Sequence, residues 1–324
     1  MPDVRPGSRP AARAEVVLAF AAVYVLWGST YLAIRFGVET LPPFLMAGLR
    51  HLTAGSLLYG WMRLRGTPRP EPRHWRSAAL IGGLLLLGGN GLVTWAEQRV
   101  PSGLAALVVA SVPIWMTVLD GLQRRERPHG VVVLGLALGL GGIAFLVAPG
   151  RFAGGSHVDP LGAAALLTAS LLWAIGSLQS RRVALPASTL LATAMEMIVG
   201  GAILLAVAGA TREWSGFSLA AVSTKSWLAL GYLIVAGSLL GFSAYIFLLG
   251  ATTPARVSTY AYVNPVVAVF LGWLFAGEAV TPRTILATLV IVAAVALIIR
   301  HGARRRVANA EENAAPLRAM GGRR

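Results

Sequence analysis

Ten stretches of this chain are each apolar for about the length a helix needs to cross a bilayer, and nothing else restricts its fold so much. A hydrocarbon core ~30 Å thick calls for ~20 mostly apolar residues at ~1.5 Å rise per residue. The stretches lie near residues 16–34, 42–62, 77–95, 102–120, 130–148, 161–179, 189–208, 227–248, 255–275 and 283–300. The expected fold class is therefore an all-α membrane protein with ten transmembrane helices. Composition agrees: 13% of the residues are charged, against ~25% in a soluble domain. A soluble enzyme, a disordered chain and a collagen-like fibre are thereby excluded. The segments between the spans are too short for a folded soluble domain, which leaves no room for an ATP-driven motor in the same chain.

Arg5, Arg9 and Arg13 precede the first span as in a signal peptide. That span is long, however, and ends in bulky WGSTYLAIR without a small-residue cleavage box, so it is read as a retained helix. Basic residues set the orientation. With the N-terminus inside, 21 of the 28 Lys and Arg fall in inner loops and tails, 6 fall outside, and Arg50 lies within a span. The expected topology is N-in, C-in. The Arg clusters hug span ends, so they suit anionic lipid headgroups, and nucleic acid is not an expected partner.

Several chemistries are excluded by residue type. The chain has no Cys, so disulfides, thiolate metal sites and Cys nucleophiles are absent. Its single lysine, Lys225, follows no glycine-rich phosphate loop. None of the five histidines forms an HExxH pair. No cofactor, no metal and no catalytic residue is expected.

The two halves of the chain correspond. LWGSTYLAIR (26–35) aligns with LWAIGSLQSR (172–181), which pairs Trp27 with Trp173 and, at the same offset, Arg50 with Glu196 and Gly55 with Gly201. A slightly larger offset pairs Trp75 with Trp227, Gly89 with Gly241, Pro113 with Pro265 and Glu126 with Glu278. Each unit holds five spans. Five is odd, so the second copy enters the membrane from the opposite side, a pattern found in many secondary transporters. The expected organisation is a basic N-tail (1–15), a first repeat (16–149), a linker (150–160), a second repeat (161–300) and a basic C-tail (301–324).

Three strings carry a family resemblance: WGSTYLAIRFGVETLPPFLMAGLR (27–50), NGLVTWAEQRVPSGLAALVVASVP (90–113) and AYVNPVVAVFLGWLFAGEAVT (261–281). Over roughly residues 15–300 the chain resembles the EamA branch of the drug/metabolite transporter superfamily, in particular the YedA-like inner-membrane exporters. The resemblance implies two inverted five-helix EamA repeats that move small metabolites or drugs, usually outward, across a bacterial inner (plasma) membrane. One departure is His51, where relatives more often carry an apolar or aromatic residue.

The fifth spans of the two repeats, 130–148 and 284–299, carry almost no polar group and are expected to act as scaffold. A pathway should then lie among the others. Pro113 and Pro265 each remove a helix hydrogen bond, and the freed carbonyls need protein or cavity water, so both are candidate kinks along it. Pathway and substrate-binding candidates are Trp27, Tyr31, Arg50, Asn90, Trp95, Glu97, Trp115, Trp173, Glu196, Tyr262 and Asn264. The aromatic rings offer flat apolar surface with a polar tip, suited to amphipathic or aromatic ligands and to cations on the ring faces. Of the amide and tyrosine neighbours, Tyr262 and Asn264 are favoured. Ionisable groups within spans are costly unless paired or wet. Arg50 and Glu196, at equivalent repeat positions, are therefore a candidate pair that rearranges during transport, with a permanent structural pair, or Arg50 bound to loop carbonyls, as the alternatives. Glu97, Glu196 and His51 are candidate proton carriers.

The function expected is secondary-active transport of small metabolites or amphipathic drugs by alternating access, with protons as candidate coupling ions and export as the direction. Its partners are a small-molecule substrate and membrane lipid, and the unit is a monomer or a homodimer. The alternatives are a membrane-embedded enzyme on lipid-linked substrates, for which no reactive cluster is visible, and a channel, which usually builds its pore from oligomeric symmetry.

Overall fold

A computed structural model describes residues 13–125, 129–147, 159–215, 217–252, 254–257 and 259–321, and every regular element among them is a helix. The expected N-tail through residue 12, most of the linker 150–160, and Glu126 lie outside the described residues. The long helices are α1 (Arg13–Gly37), α2 (Pro43–Leu64), α3 (Pro72–Ala96), α4 (Ser102–Gln123) and α5 (Gly130–Val147). There follow α6 (Pro160–Gln179), α7 (Thr189–Ala210), α8 (Thr224–Ala251), α9 (Tyr260–Ala276) and α10 (Pro282–Gly321). Seven of these are long and apolar enough to cross a membrane, and α5 and α9 are shorter apolar helices. Helix α2 has the length but carries Arg50, His51 and Arg63. Helix α10 continues past the last apolar run to Gly321. The Ala-, Arg- and Glu-rich composition of 303–315 favours helix strongly enough to extend it through the expected C-tail.

Local chemistry sets the helix ends. Pro43, Pro72, Pro160 and Pro282 open their helices, where the missing N–H has no intrahelical use. Asp159 accepts from the Gly162 N–H at 2.7 Å and Ser223 from the Ser226 N–H at 3.1 Å, each capping a helix start. Gly277 takes the left-handed φ of 64° that ends α9.

The interruptions lie near the middle of the bundle. Wider π-type turns occupy Val23–Trp27 in α1, Gly83–Gly91 in α3 and Leu233–Leu240 in α8. Helix α4 breaks at Ala110 and Ser111, between Ser102–Val109 and Val112–Arg124, just before Pro113. Helix α9 keeps Pro265 inside a continuous run.

The helices pack in an exchanging pattern: α2 lies on α7, α5 on α10 and α4 on α9. Helix α9 meets α1 as α4 meets α6, and α3 meets α6 as α8 meets α1. Two glycines make one of these contacts close. A Cβ on Gly89 would stand 2.6 Å from the Trp173 ring, and a Cβ on Gly241 would overlap the Trp27 indole. Each of the matched tryptophans, Trp27 and Trp173, thus seats on a glycine notch of the opposite half.

Short connections make successive helices antiparallel. One end of the bundle, here the near end, holds the start of α1. The far end holds the α1–α2, α3–α4, α7–α8 and α9–α10 connections. The largest buried apolar cluster gathers there, with Val38, Leu41, Val100, Leu104, Leu146, Ala163, Val222 and Ala287.

Candidate functional site

The far end is closed by polar clasps between the halves. Pro101 precedes α4 and offers no capping side chain, so the first N–H groups of that helix lack a local partner. Glu278, after α9, supplies it. Its Oε1 accepts from the Ser102 N–H at 2.6 Å and the Ser102 hydroxyl at 2.8 Å, and its Oε2 accepts from the Gly103 N–H at 2.9 Å. Glu213, after α7, does the same for α2, which begins with two prolines: it accepts from the Leu45 N–H at 2.9 Å and the Phe44 N–H at 3.4 Å. Burial raises the Glu213 carboxyl above its ordinary value, and the two backbone N–H donors oppose that rise. Lys225 pairs with Glu39 at 2.6 Å, and the Ser226 hydroxyl donates to the Phe36 carbonyl at 2.8 Å.

Beneath this seal lies a cavity of about 470 Å³ between the two halves. That is within the ~300–1,000 Å³ range of small-molecule sites. Helix α1 contributes Trp27, Thr30, Tyr31 and Ile34, and α3 contributes Gly89, Asn90 and Val93. Helix α4 contributes a long face from Ala106 through Pro113 to Thr117, and α6 contributes Ala169, Ser170 and Trp173. Tyr260, Ala261, Asn264 and Pro265 come from α9, and Phe242 from α8. Tyr260 is the first residue of α9 and Ile299 closes the apolar part of α10, so the lining reaches the near end along these two helices.

The aromatic side chains form a nest. The Trp27 ring centroid lies 5.3 Å from Phe242, 5.1 Å from Tyr245 and 5.2 Å from Tyr260, and its Nε1–H donates to the Gly237 carbonyl at 3.2 Å. One indole thereby holds α1, α8 and α9 together at the cavity wall. Arg50 reaches the cavity from α2. Its Nε–H donates to the Ser238 hydroxyl on α8 at 3.0 Å.

Of the residues expected from sequence, Trp27, Tyr31, Arg50, Asn90, Trp173 and Asn264 line the cavity, as do Pro113 and Pro265. Trp95, Trp115, Glu97, Glu196, Tyr262 and His51 do not. Tyr262 and Asn264 are two residues apart, ~200° around a helix of 3.6 residues per turn, so they cannot share a face. Trp95 stacks under Arg99, whose guanidinium lies 4.1 Å from the ring centroid. Trp115 is turned aside from the Pro113–Met116–Thr117 face, with its Nε1 buried. His51 is buried, and its Nδ1 lies 2.8 Å from the Ala47 carbonyl one turn back.

The expected Arg50–Glu196 pair is corrected: no ion pair joins them among the described residues. Arg50 turns to α8, whereas Glu196 sits where α7 crosses α3, with its carbonyl against Gly82. Matching register in the string does not bring the two side chains together: Arg50 lines the cavity and Glu196 does not. The expectation that the fifth helices are scaffold is corrected at α10, since Ile298 and Ile299 line the cavity, whereas no α5 residue does. Apolar content alone cannot distinguish a lipid-facing Ile from one facing an apolar ligand site.

Glu97 stands one residue past the end of α3, at the sealed end. It is fully buried, and neither carboxyl oxygen has a hydrogen-bond partner among the described residues. Arg35 instead donates to its main-chain carbonyl at 2.8 Å. Burial first, then the Glu278 charge, raise its carboxyl well above the ordinary carboxylate range, while Arg35 and Arg50 oppose the rise. Thr30, Thr117 and Ser170 also line the cavity and are absent from the residues expected from the string, where a hydroxyl gives no signal of its direction. Each sits on a helix face that joins the cavity, and the hydroxyls of Thr30, Thr117 and Ser170 bond carbonyls of their own helices. No three His, Cys, Asp or Glu side chains gather as metal ligands among the described residues.

Comparison with known proteins matches the EamA-like transporter family twice along the chain, at residues 14–148 and 160–300. The uncharacterized inner membrane transporter YedA of Escherichia coli (strain K12) is 44% identical over 285 residues, which cover 86% of this chain and 89% of that protein. The probable amino-acid metabolite efflux pump of the same strain is 27% identical over 286 residues, 83% of this chain and 89% of that one. A solved crystal structure superposes with a TM-score of 0.57 at 22% identity, covering 88% of this chain and 96% of the other, and shares the fold.

Proposed function

This chain belongs to the EamA-like transporter family, a multi-pass transporter of the bacterial inner membrane, and from that premise we propose that it exports small metabolites or amphipathic drugs by alternating access. Ten helices cross the membrane with both termini inside, as two inverted repeats spanning 16–149 and 161–300. The exchanging helix contacts and the reciprocal Trp27–Gly241 and Trp173–Gly89 seats support that symmetry. The observation that carries the proposal is a cavity between the halves, sealed at one end by hydrogen bonds that cross from half to half. Such clasps can be exchanged for others when one bundle rocks against the other. The lining that runs to Tyr260 and Ile299 supports reading this conformation as the one accessible from the near side.

Substrate efflux draws on an ion or solute gradient. Among the three candidate proton carriers, the geometry favours Glu97. It is buried at the closed end without a hydrogen-bond partner among the described residues, so it is neutral or rehydrated, and rehydration accompanies opening. None of the three lines the cavity, and Glu196 and His51 lie within α7 and α2, away from the closed end where Glu97 stands.

The experiment is a flux screen of metabolites and drugs in proteoliposomes, with and without an imposed pH gradient. Saturable exchange with counterflow is expected. Non-saturable conductance would favour a channel, and chemical conversion of the solute would favour an enzyme. Stimulation by the pH gradient should vanish in Glu97→Gln and persist in Glu196→Gln and His51→Asn. Persistence in Glu97→Gln would remove Glu97 from the proton path.

A further inference from the structure

Among the described residues, Arg50 is the one group of full charge at neutral pH that lines the cavity, and no carboxylate lines it. Its Nε–H is used by Ser238, whereas Nη1 and Nη2 make no hydrogen bond among the described residues. A guanidinium carries five donors in a planar fork, so most of this one's donor capacity is unspent at a site where only 6% of the residue's surface is open. An isolated charge in such a place is costly unless a counter-charge meets it. Glu97, whose charge acts on Arg50, forms no ion pair with it among the described residues and lies outside the lining.

Resting on the transporter reading above, we propose that the substrate is an organic monoanion. A carboxylate accepts two parallel N–H bonds from the free edge of Arg50, and a flat apolar body lies against the aromatic wall of Trp27, Tyr260 and Trp173. The fork geometry selects an anion by its shape as well as its sign. The aromatic walls alone would suit a cation, but an unneutralised guanidinium in the same low-dielectric space repels one. The charge has no counterpart in the other half: the equivalent position, Glu196, is off the cavity, so the selectivity belongs to the first repeat and is not imposed by the symmetry. Neutral polar contacts are available from Asn90 and Asn264 and do not alter the sign of the site.

Three probes of nearly equal size test this on the full-length purified protein: 2-naphthoate, 2-naphthamide and 2-naphthylmethylammonium, with binding read by calorimetry or by tryptophan fluorescence. In the unaltered protein naphthoate should bind at least tenfold more tightly than the ammonium probe. Arg50→Gln should lose at least tenfold for naphthoate and leave naphthamide within about twofold, and it should relieve the exclusion of the cation. Arg50→Lys, with the charge but not the fork, should keep the order of preference with weaker naphthoate binding. Equal or tighter binding of the cation by the unaltered protein, or no binding of any probe, overturns the proposal without reference to a variant. So does an unchanged naphthoate affinity in Arg50→Gln with naphthamide binding intact. Saturable counterflow of neutral or cationic solutes with no anion among them would refute anion selectivity and leave the transporter reading standing, whereas absence of counterflow for every solute would sink that reading itself.

Discussion

Glutamine at position 278 tests whether the far-end seal is a closed gate. The carboxylate accepts three bonds, two at Oε1 from Ser102 and one at Oε2 from the Gly103 N–H. An amide keeps one oxygen, so at best it retains the Ser102 pair at neutral strength. Its NH₂ then confronts the Gly103 N–H, and that bond is lost. A hydrogen bond to a charged group contributes ~1.5–3 kcal/mol, which partial exposure of Glu278 reduces. Loss of the negative charge at a helix N-terminus removes a further ~0.3–1 kcal/mol. About 2 kcal/mol in total is a reasonable scale, or a ~30-fold shift of the closed–open equilibrium at 1.4 kcal/mol per factor of ten. Because the chain contains no cysteine, a single Cys is an unambiguous reporter. Ile34 lines the cavity next to the seal and is 3% exposed. In Ile34→Cys, labelling by a membrane-impermeant maleimide from the far side should be slow, and Glu278→Gln should accelerate it by at least tenfold. Unchanged far-side labelling in a folded, membrane-inserted double variant would refute the idea that these bonds hold the far end shut.

Gly89→Ala and Gly241→Ala should each displace a tryptophan from its notch and cost ~1–3 kcal/mol of stability through overpacking; a normal melting temperature and an unshifted tryptophan emission in both would contradict the contact. The Glu213 carboxyl has a raised pKa in the folded protein, so the native state binds its proton at higher pH than the unfolded chain does. Stability from this group is present in acid and lost as pH rises from the ordinary carboxylate value through the raised one. The melting temperature of the unaltered protein minus that of Glu213→Gln should therefore fall over that window, and a rise would reverse the assignment. Lys225→Met breaks an exposed ion pair with Glu39 and should change thermal stability by no more than ~1 kcal/mol, in contrast to the Glu278 variant.

The apolar runs were enough to specify apolar helices and two matching halves, because a bilayer penalises every unpaired backbone group and every stray charge along a single coordinate, depth. Depth can be counted residue by residue. Pro113, Pro265, Trp27 and Trp173 were legible for the same reason: a helix-breaking or bulky residue at matched positions in two halves has few explanations besides a shared axial feature. Which way each side chain points was not legible. Tyr262 and Asn264 are neighbours in the string and occupy different faces, Glu196 matches Arg50 in register and points elsewhere, and Ile298 and Ile299 are indistinguishable by composition from lipid-facing residues. Those outcomes depend on the azimuth of each helix about its own axis, and azimuth is set by packing against helices distant in sequence: α8 offering Ser238 to Arg50, Gly89 and Gly241 admitting the tryptophans, Glu278 reaching back to α4. One-dimensional periodicity fixes depth in the membrane, and only the three-dimensional contacts among the helices choose the residues that turn inward.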